Sequence, residues 1–240
     1  MTGELSRVRT LLLDADGCLF GSEEPAFAAS TTVTNRLLER LGSRRRFTPD
    51  DLRRAAIGRN FRATATDLAA EAGVALDGEL EDWVVAEREA VVAHLAAVLR
   101  PDPQVLEPLR LLAGRCELTV VSSSALSRLD ACFRVTGLAE LLPPEVRFSA
   151  EDSLATPTSK PDPAVYVHAG ARLGVTGDEA LAVEDAASGV RSAVGAGFCV
   201  VGNLLFVAPE EREGRDAALR DAGAMAVVAS WWELAALLGG

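Results

Sequence analysis

The sequence predicts an α/β protein, a Rossmann-like doubly wound parallel sheet interrupted by an inserted α-helical segment. Four short apolar runs, 9–14, 117–122, 179–184 and 197–202, alternate with helix-like stretches such as 164–173 and 188–196. Strands alternating with helices imply a mostly parallel sheet covered on both faces. Between residues 20 and 100 the strand signal vanishes, and apolar residues recur at helical spacing, as in Trp83, Val84, Val91, Val92, Leu95 and Leu99. The 240 residues suffice for one substantial domain carrying a smaller inserted one.

In chain order, the run 9–14 ends at Asp14 and meets Gly17, as expected of a buried parallel strand delivering side chains at its carboxyl end. The insertion then opens near Gly21 and Pro25 and closes at Arg100-Pro101-Asp102-Pro103. Proline ends helices and disfavours helix before it, so both exits suit hinges. The expected organisation is a core of residues 1–20 and 101–240 with a helical unit over 21–100.

Composition excludes several classes. A formal net charge of −11 argues against a general nucleic-acid binder, which needs clustered Lys and Arg. The cluster Arg44-Arg45-Arg46 reads as a solvated loop. Although 49% of residues are hydrophobic, no uninterrupted apolar stretch approaches the roughly 20 residues a membrane span needs. Residues 1–9 lack the layout of a signal peptide, so a soluble, cytoplasmic protein without membrane partners is expected. Cys18, Cys116, Cys132 and Cys199 show no zinc-ligand spacing and read as reduced structural thiols. His94 and His168 both fall in predicted helices, far from any nucleophile elbow, which leaves a Ser-His-Asp hydrolase without its parts.

Four segments carry chemistry. Asp14 and Asp16 lie two apart at a strand end, so an extended backbone points both carboxylates the same way. Like charges held close need a metal or a basic group, although the same pair also serves as turn or helix-cap residues. Ser122-Ser123-Ser124 follows the second strand, where hydroxyls and free amides hold a phosphate or simply cap the next helix. Lys160 is the single lysine in a chain whose Lys and Arg total 24, which suggests a site requiring a compact ammonium. Glu184 and Asp185 end another apolar run and offer the hard oxygen ligands that suit magnesium; Asp185 alone also fits a helix start.

In this order the segments resemble the haloacid dehalogenase superfamily, in its phosphatase and β-phosphoglucomutase-like branch with a helical cap. Asp14-Ala15-Asp16-Gly17 resembles the first motif, Val121-Ser122-Ser123 the second, Lys160-Pro161 the third and Glu184-Asp185 the fourth. The resemblance implies that Asp14 is the nucleophile and Asp16 the general acid and base. It implies that Asp14, Asp185 and the Asp16 backbone carbonyl hold Mg2+, with Glu184 behind them. Ser122 and the Ser123 amide would grip the phosphoryl oxygens, and Lys160 would neutralise charge on Asp14 and the transferring group. The family's true dehalogenases differ at Asp16, and its phosphonate-cleaving members use a cap lysine, which residues 20–100 lack. Cys18 stands where relatives more often carry Thr or Val, and Gly21 replaces a common acidic residue.

The expected activity is magnesium-dependent hydrolysis of a small phosphate ester, a sugar or polyol phosphate, through an aspartyl phosphate on Asp14, by a monomer or homodimer. A sugar phosphomutase is the alternative, and a catalytically idle binding module a further one. Arg59 and Arg62, in the segment 58–62, are candidates for reading the leaving group or are simply exposed helix residues.

Overall fold

The computed structural model describes residues 5–55 and 60–239. The chain divides into two compact units, one formed by the residues up to Gly21 with those from Arg100 onward, the other by Ser22–Leu99.

Among its described residues the second unit holds helices and no strand: α1 (Glu23–Arg40), α2 (Pro49–Ala55), α3 (Phe61–Ala72) and α4 (Leu80–Val98). The long helices α1 and α4 pack against one another. Leu37, Leu38, Leu41, Phe47, Leu52, Ala65 and Leu68 form the unit's own buried cluster. Local chemistry sets the ends of α3. Asn60 caps it by accepting a hydrogen bond from the Ala63 amide at 2.9 Å, and Gly73 stops it in the left-handed region at φ 66°. The arginine cluster lies on an exposed loop of this unit. Arg46 donates to Glu39 at 2.6 Å, and Arg45 reaches Glu71 at 3.4 Å while its guanidinium covers Phe47.

In the first unit the strands are β1 (Thr10–Leu13), β2 (Glu117–Ser122), β3 (Arg147–Ser149), β4 (Ala180–Glu184), β5 (Cys199–Asn203) and β6 (Ala226–Val228). They form a six-stranded parallel sheet in the order β3-β2-β1-β4-β5-β6. Helices follow as α5 (Pro103–Ala113), α6 (Leu126–Thr136), α7 (Ala164–Leu173), α8 (Ala187–Gly195), α9 (Arg212–Asp221) and α10 (Trp231–Leu237). Every residue of β1 and β4 is buried, which is why both strands read as unbroken apolar runs. One core cluster joins Leu12, Val121, Ala182 and Val200 of the sheet to Tyr166 of α7, Val190 of α8 and Leu219 of α9.

The edge strands β3 and β6, three residues each, carry too little pattern to be read from sequence. Arg147 of β3 is buried nonetheless. Its Nε donates to the Leu142 carbonyl at 2.7 Å, its guanidinium lies over the Phe133 ring at 4.5 Å, and Asp130 faces it at 3.4 Å. Among the described residues no helix is long and apolar enough to cross a membrane.

Candidate active site

The strand order reverses direction at β1 and β4, and in open α/β sheets ligands bind outside the carboxyl ends of the strands at such a switch point. Register does the rest. Leu13 pairs with Val120 of β2 and with Val183 of β4, so the next residue, Asp14, leaves the sheet beside Val121 and Glu184. Its amide still donates to the Val183 carbonyl at 3.0 Å, which fixes the backbone beneath its carboxylate.

Lys160 reaches this point from the segment before α7. Its Nζ donates to Asp14 Oδ1 at 2.5 Å and to the Val121 carbonyl at 2.7 Å, and lies 2.7 Å from Glu184 Oε1. Three partners match the three protons of an ammonium. The Lys160–Pro161 peptide is cis, and the Lys160 amide donates to Ser123 Oγ at 3.1 Å. The Tyr166 hydroxyl donates to the same Glu184 oxygen, Oε1, at 2.5 Å. Behind it, α8 passes so closely that a Cβ on Gly189 would lie 1.9 Å from Glu184 Oε2.

Electrostatics follow from burial. Removal from water pushes the Asp14 carboxyl up to about 7, Lys160 pulls it back, and Glu184 adds to the rise. Burial alone would discourage charge on Lys160, but Asp14 and Glu184 outweigh it and hold the ammonium above the usual lysine range. Burial, followed by the neighbouring Glu184, raises the Tyr166 hydroxyl well above its ordinary value. Cys18, buried beside these carboxylates, is pushed up in the same way, which makes it a poor thiolate and an inert packing residue.

Asp14, Glu184 and Asp185 place one carboxylate oxygen each within 4.8 Å of one another, all buried. A hard divalent cation fits this donor set, because three buried carboxylates exceed the one ammonium among them. The turn after β1 is shaped to approach it. Gly17 has φ +76°, and a Cβ there would lie 2.4 Å from Asp185 Oδ2, so glycine answers both backbone and space. Arg215 of α9 donates to the Asp185 backbone carbonyl at 3.0 Å and keeps its guanidinium 3.8 Å from Oδ2.

The Asp16 carboxylate takes a different direction. Ser124 Oγ donates to one oxygen at 2.6 Å and Arg128 to the other at 2.7 Å. Ser122 Oγ accepts from the Ser124 amide at 3.0 Å, which folds the serine turn back on itself at the end of β2. The sheet unit thus brings together Asp14, Asp16, Ser122, Ser123, Lys160, Glu184 and Asp185. In the helical unit, Arg62 is exposed and forms a two-pronged ion pair with Glu81, one contact of 2.7 Å. Arg59 lies outside the described residues.

Sequence reasoning missed Tyr166, Arg128 and Arg215. Tyr166 carried a signal parallel to the lone lysine, since it is the chain's single tyrosine. Arg128 and Arg215 stand among many arginines, and only the fold sets them apart.

The family model for haloacid dehalogenase-like hydrolases matches residues 8–197. No curated protein matches the sequence significantly. Solved structures do resemble this chain. A haloacid dehalogenase-like protein of unknown function from Agrobacterium tumefaciens is 25% identical, with a TM-score of 0.71 over 97% of this chain and 98% of that one. A HAD family hydrolase from Deinococcus radiodurans, solved with phosphate and sodium, is 25% identical at a TM-score of 0.69 over 97% and 98%. A candidate β-phosphoglucomutase from Thermotoga maritima is 25% identical at 0.73 over 97% and 99%. With its motif segments converging at the switch point and most of its length matched by the family model, this chain belongs to the haloacid dehalogenase-like hydrolases.

Proposed function

We propose that this hydrolase is a magnesium-dependent phosphatase for a small phosphorylated metabolite, a sugar or polyol phosphate, working through an aspartyl phosphate on Asp14. The observation that carries the reading is the placement of Asp14 at the end of a central strand, held by Lys160 and flanked by Glu184 and Asp185. The phosphate bound in the Deinococcus radiodurans relative supports it.

Asp14, Asp185 and the Asp16 carbonyl would hold the magnesium ion, with Glu184 kept to Lys160 and Tyr166 behind them. When bound, the ion supplies neutralisation of the phosphoryl oxygens. An Asp14 oxygen attacks phosphorus, forming the new P–O bond as the bond to the leaving oxygen breaks. Asp16 gives that oxygen a proton. Water then attacks the aspartyl phosphate, Asp16 accepts the water's proton, and the Asp14–phosphorus bond breaks to release phosphate. Lys160 and the hydroxyls and amides of Ser122 and Ser123 stabilise the charge spread over the transferring group. The helical unit of residues 22–99 is the cap that selects the leaving group, with Arg59 and Arg62 as its candidate readers.

The test is phosphate release from a panel of sugar, polyol and nucleotide phosphates and an aryl phosphate, with magnesium or with chelator. Magnesium-dependent release is expected for the wild type and a loss of about 1,000-fold or more for Asp14→Asn. Activity surviving in Asp14→Asn would remove Asp14 as nucleophile. A phosphomutase is the second reading, favoured by the Thermotoga maritima relative. It would return the phosphoryl group to the substrate, giving isomerised product from a bisphosphate-primed reaction without free phosphate.

A further inference from the structure

We infer that Arg128 is a positioning residue for Asp16, fixing together with Ser124 the direction of the carboxylate that serves the leaving oxygen. The inference rests on the reading of Asp16 as proton donor in the proposed reaction.

Three observations carry it. Both Asp16 oxygens are taken, Oδ1 by Arg128 at 2.7 Å and Oδ2 by Ser124 Oγ at 2.6 Å, so the carboxylate has one orientation rather than a choice of rotamers. Arg128 Nε is buried and makes no hydrogen bond. Within the protein, the hydrogen bond of this guanidinium goes from a terminal nitrogen to Asp16 and not from Nε. Third, the first amide of helix α6, on Leu126, is taken by Asp152 Oδ2 at 2.6 Å, while Ser124, just before the helix, turns its hydroxyl to Asp16. Neither residue is committed to closing the helix.

Both side chains of the pair stay partly open, at 25% for Arg128 and 22% for Asp16, so the contact sits at an accessible surface and not in the core. Arg128 acts through Asp16 and need not touch the substrate. Its effect must therefore scale with how much the leaving oxygen needs a proton. An alkoxide needs one, whereas nitrophenolate departs without it.

The experiment measures kcat/KM, which reports the step that expels the leaving group, for an alkyl ester (glycerol 3-phosphate) and for 4-nitrophenyl phosphate. Wild type, Arg128→Met, Arg128→Lys and Asp14→Asn are compared with saturating magnesium, alongside their melting temperatures. Arg128→Met is expected to lose about tenfold or more on the alkyl ester, within the range general acid catalysis supplies, and less than about threefold on the aryl ester. Arg128→Lys should recover part of the loss, since a single N–H contact is within reach of an ammonium. Equal losses on both esters, or none on either, would overturn the assignment, and Arg128→Lys decides the matter if Arg128→Met does not fold. A wild type that releases phosphate from neither ester, or an Asp14→Asn that still does, would instead bring down the phosphatase reading beneath it.

Discussion

In the sheet unit, the Lys160 side chain is 6% exposed and sits between carboxylates that are 10% and 1% exposed. In the helical unit, the pairs Arg40–Glu79, Arg46–Glu39 and Arg62–Glu81 have every partner at least 40% exposed. The same chemical bond therefore does two different jobs. Exposed pairs are screened and contribute little to stability, whereas a buried charge that loses its partner is left in a medium that cannot solvate it. Sequence separation differs too, since Lys160 meets Asp14 across 146 residues and Arg62 meets Glu81 across 19.

Lys160→Met would test that contrast most severely. It should cost about 3–5 kcal/mol of stability at neutral pH by leaving buried carboxylates uncompensated. It should also slow turnover by about 100-fold or more through the lost charge at the transferring group. The stability deficit should narrow in acid. Asp14 already lies above its ordinary 3.8, at about 7, so between those values the folded protein holds more protons than the unfolded chain. Stability attributable to Asp14 therefore falls as pH rises through that window, and a protonated carboxyl needs no counter-charge. Denaturant unfolding of the metal-free protein from pH 5 to 8 reads this directly, and a variant as stable as wild type at pH 7 would break the contrast.

A smaller effect is expected from Gly189→Ala. The added methyl would collide with Glu184, which cannot swing aside while Tyr166 and Lys160 hold it. Overpacking of this sort costs about 1–3 kcal/mol. Thermal unfolding equal to wild type would mean that Glu184 is less firmly held than its contacts indicate.

Arg62→Ala should leave the melting temperature unchanged, because its pair with Glu81 is open to solvent. Kinetics then sharpen the comparison. A higher KM with an unchanged kcat across the ester panel would assign Arg62 to leaving-group recognition, and unchanged kinetics would leave it as surface.

Much of the fold was legible because buried parallel strands leave a plain trace. The runs around β1, β2, β4 and β5 are mostly apolar and almost wholly buried, with polar residues mainly at their ends, and the predicted helix 164–173 coincides with α7. The edges β3 and β6 left none, since three residues at a sheet margin set no periodicity and β3 even opens on a buried arginine. At the site, Asp14, Lys160 and Asp185 could be singled out by strand-end position and by the rarity of lysine. The direction of Asp16 could not, because it depends on Ser124 and Arg128, more than 100 residues away in sequence.

The sequence by itself determined the layered α/β architecture, the helical insertion and the groups able to carry phosphoryl chemistry, because hydrophobic period and residue type are local properties. The tertiary structure alone decided that Lys160 also meets Glu184, that Tyr166 and Gly189 confine Glu184, and that Arg128 grips Asp16. Those outcomes depend on strand register and on helix approach to within a few ångströms, which only the packed chain establishes.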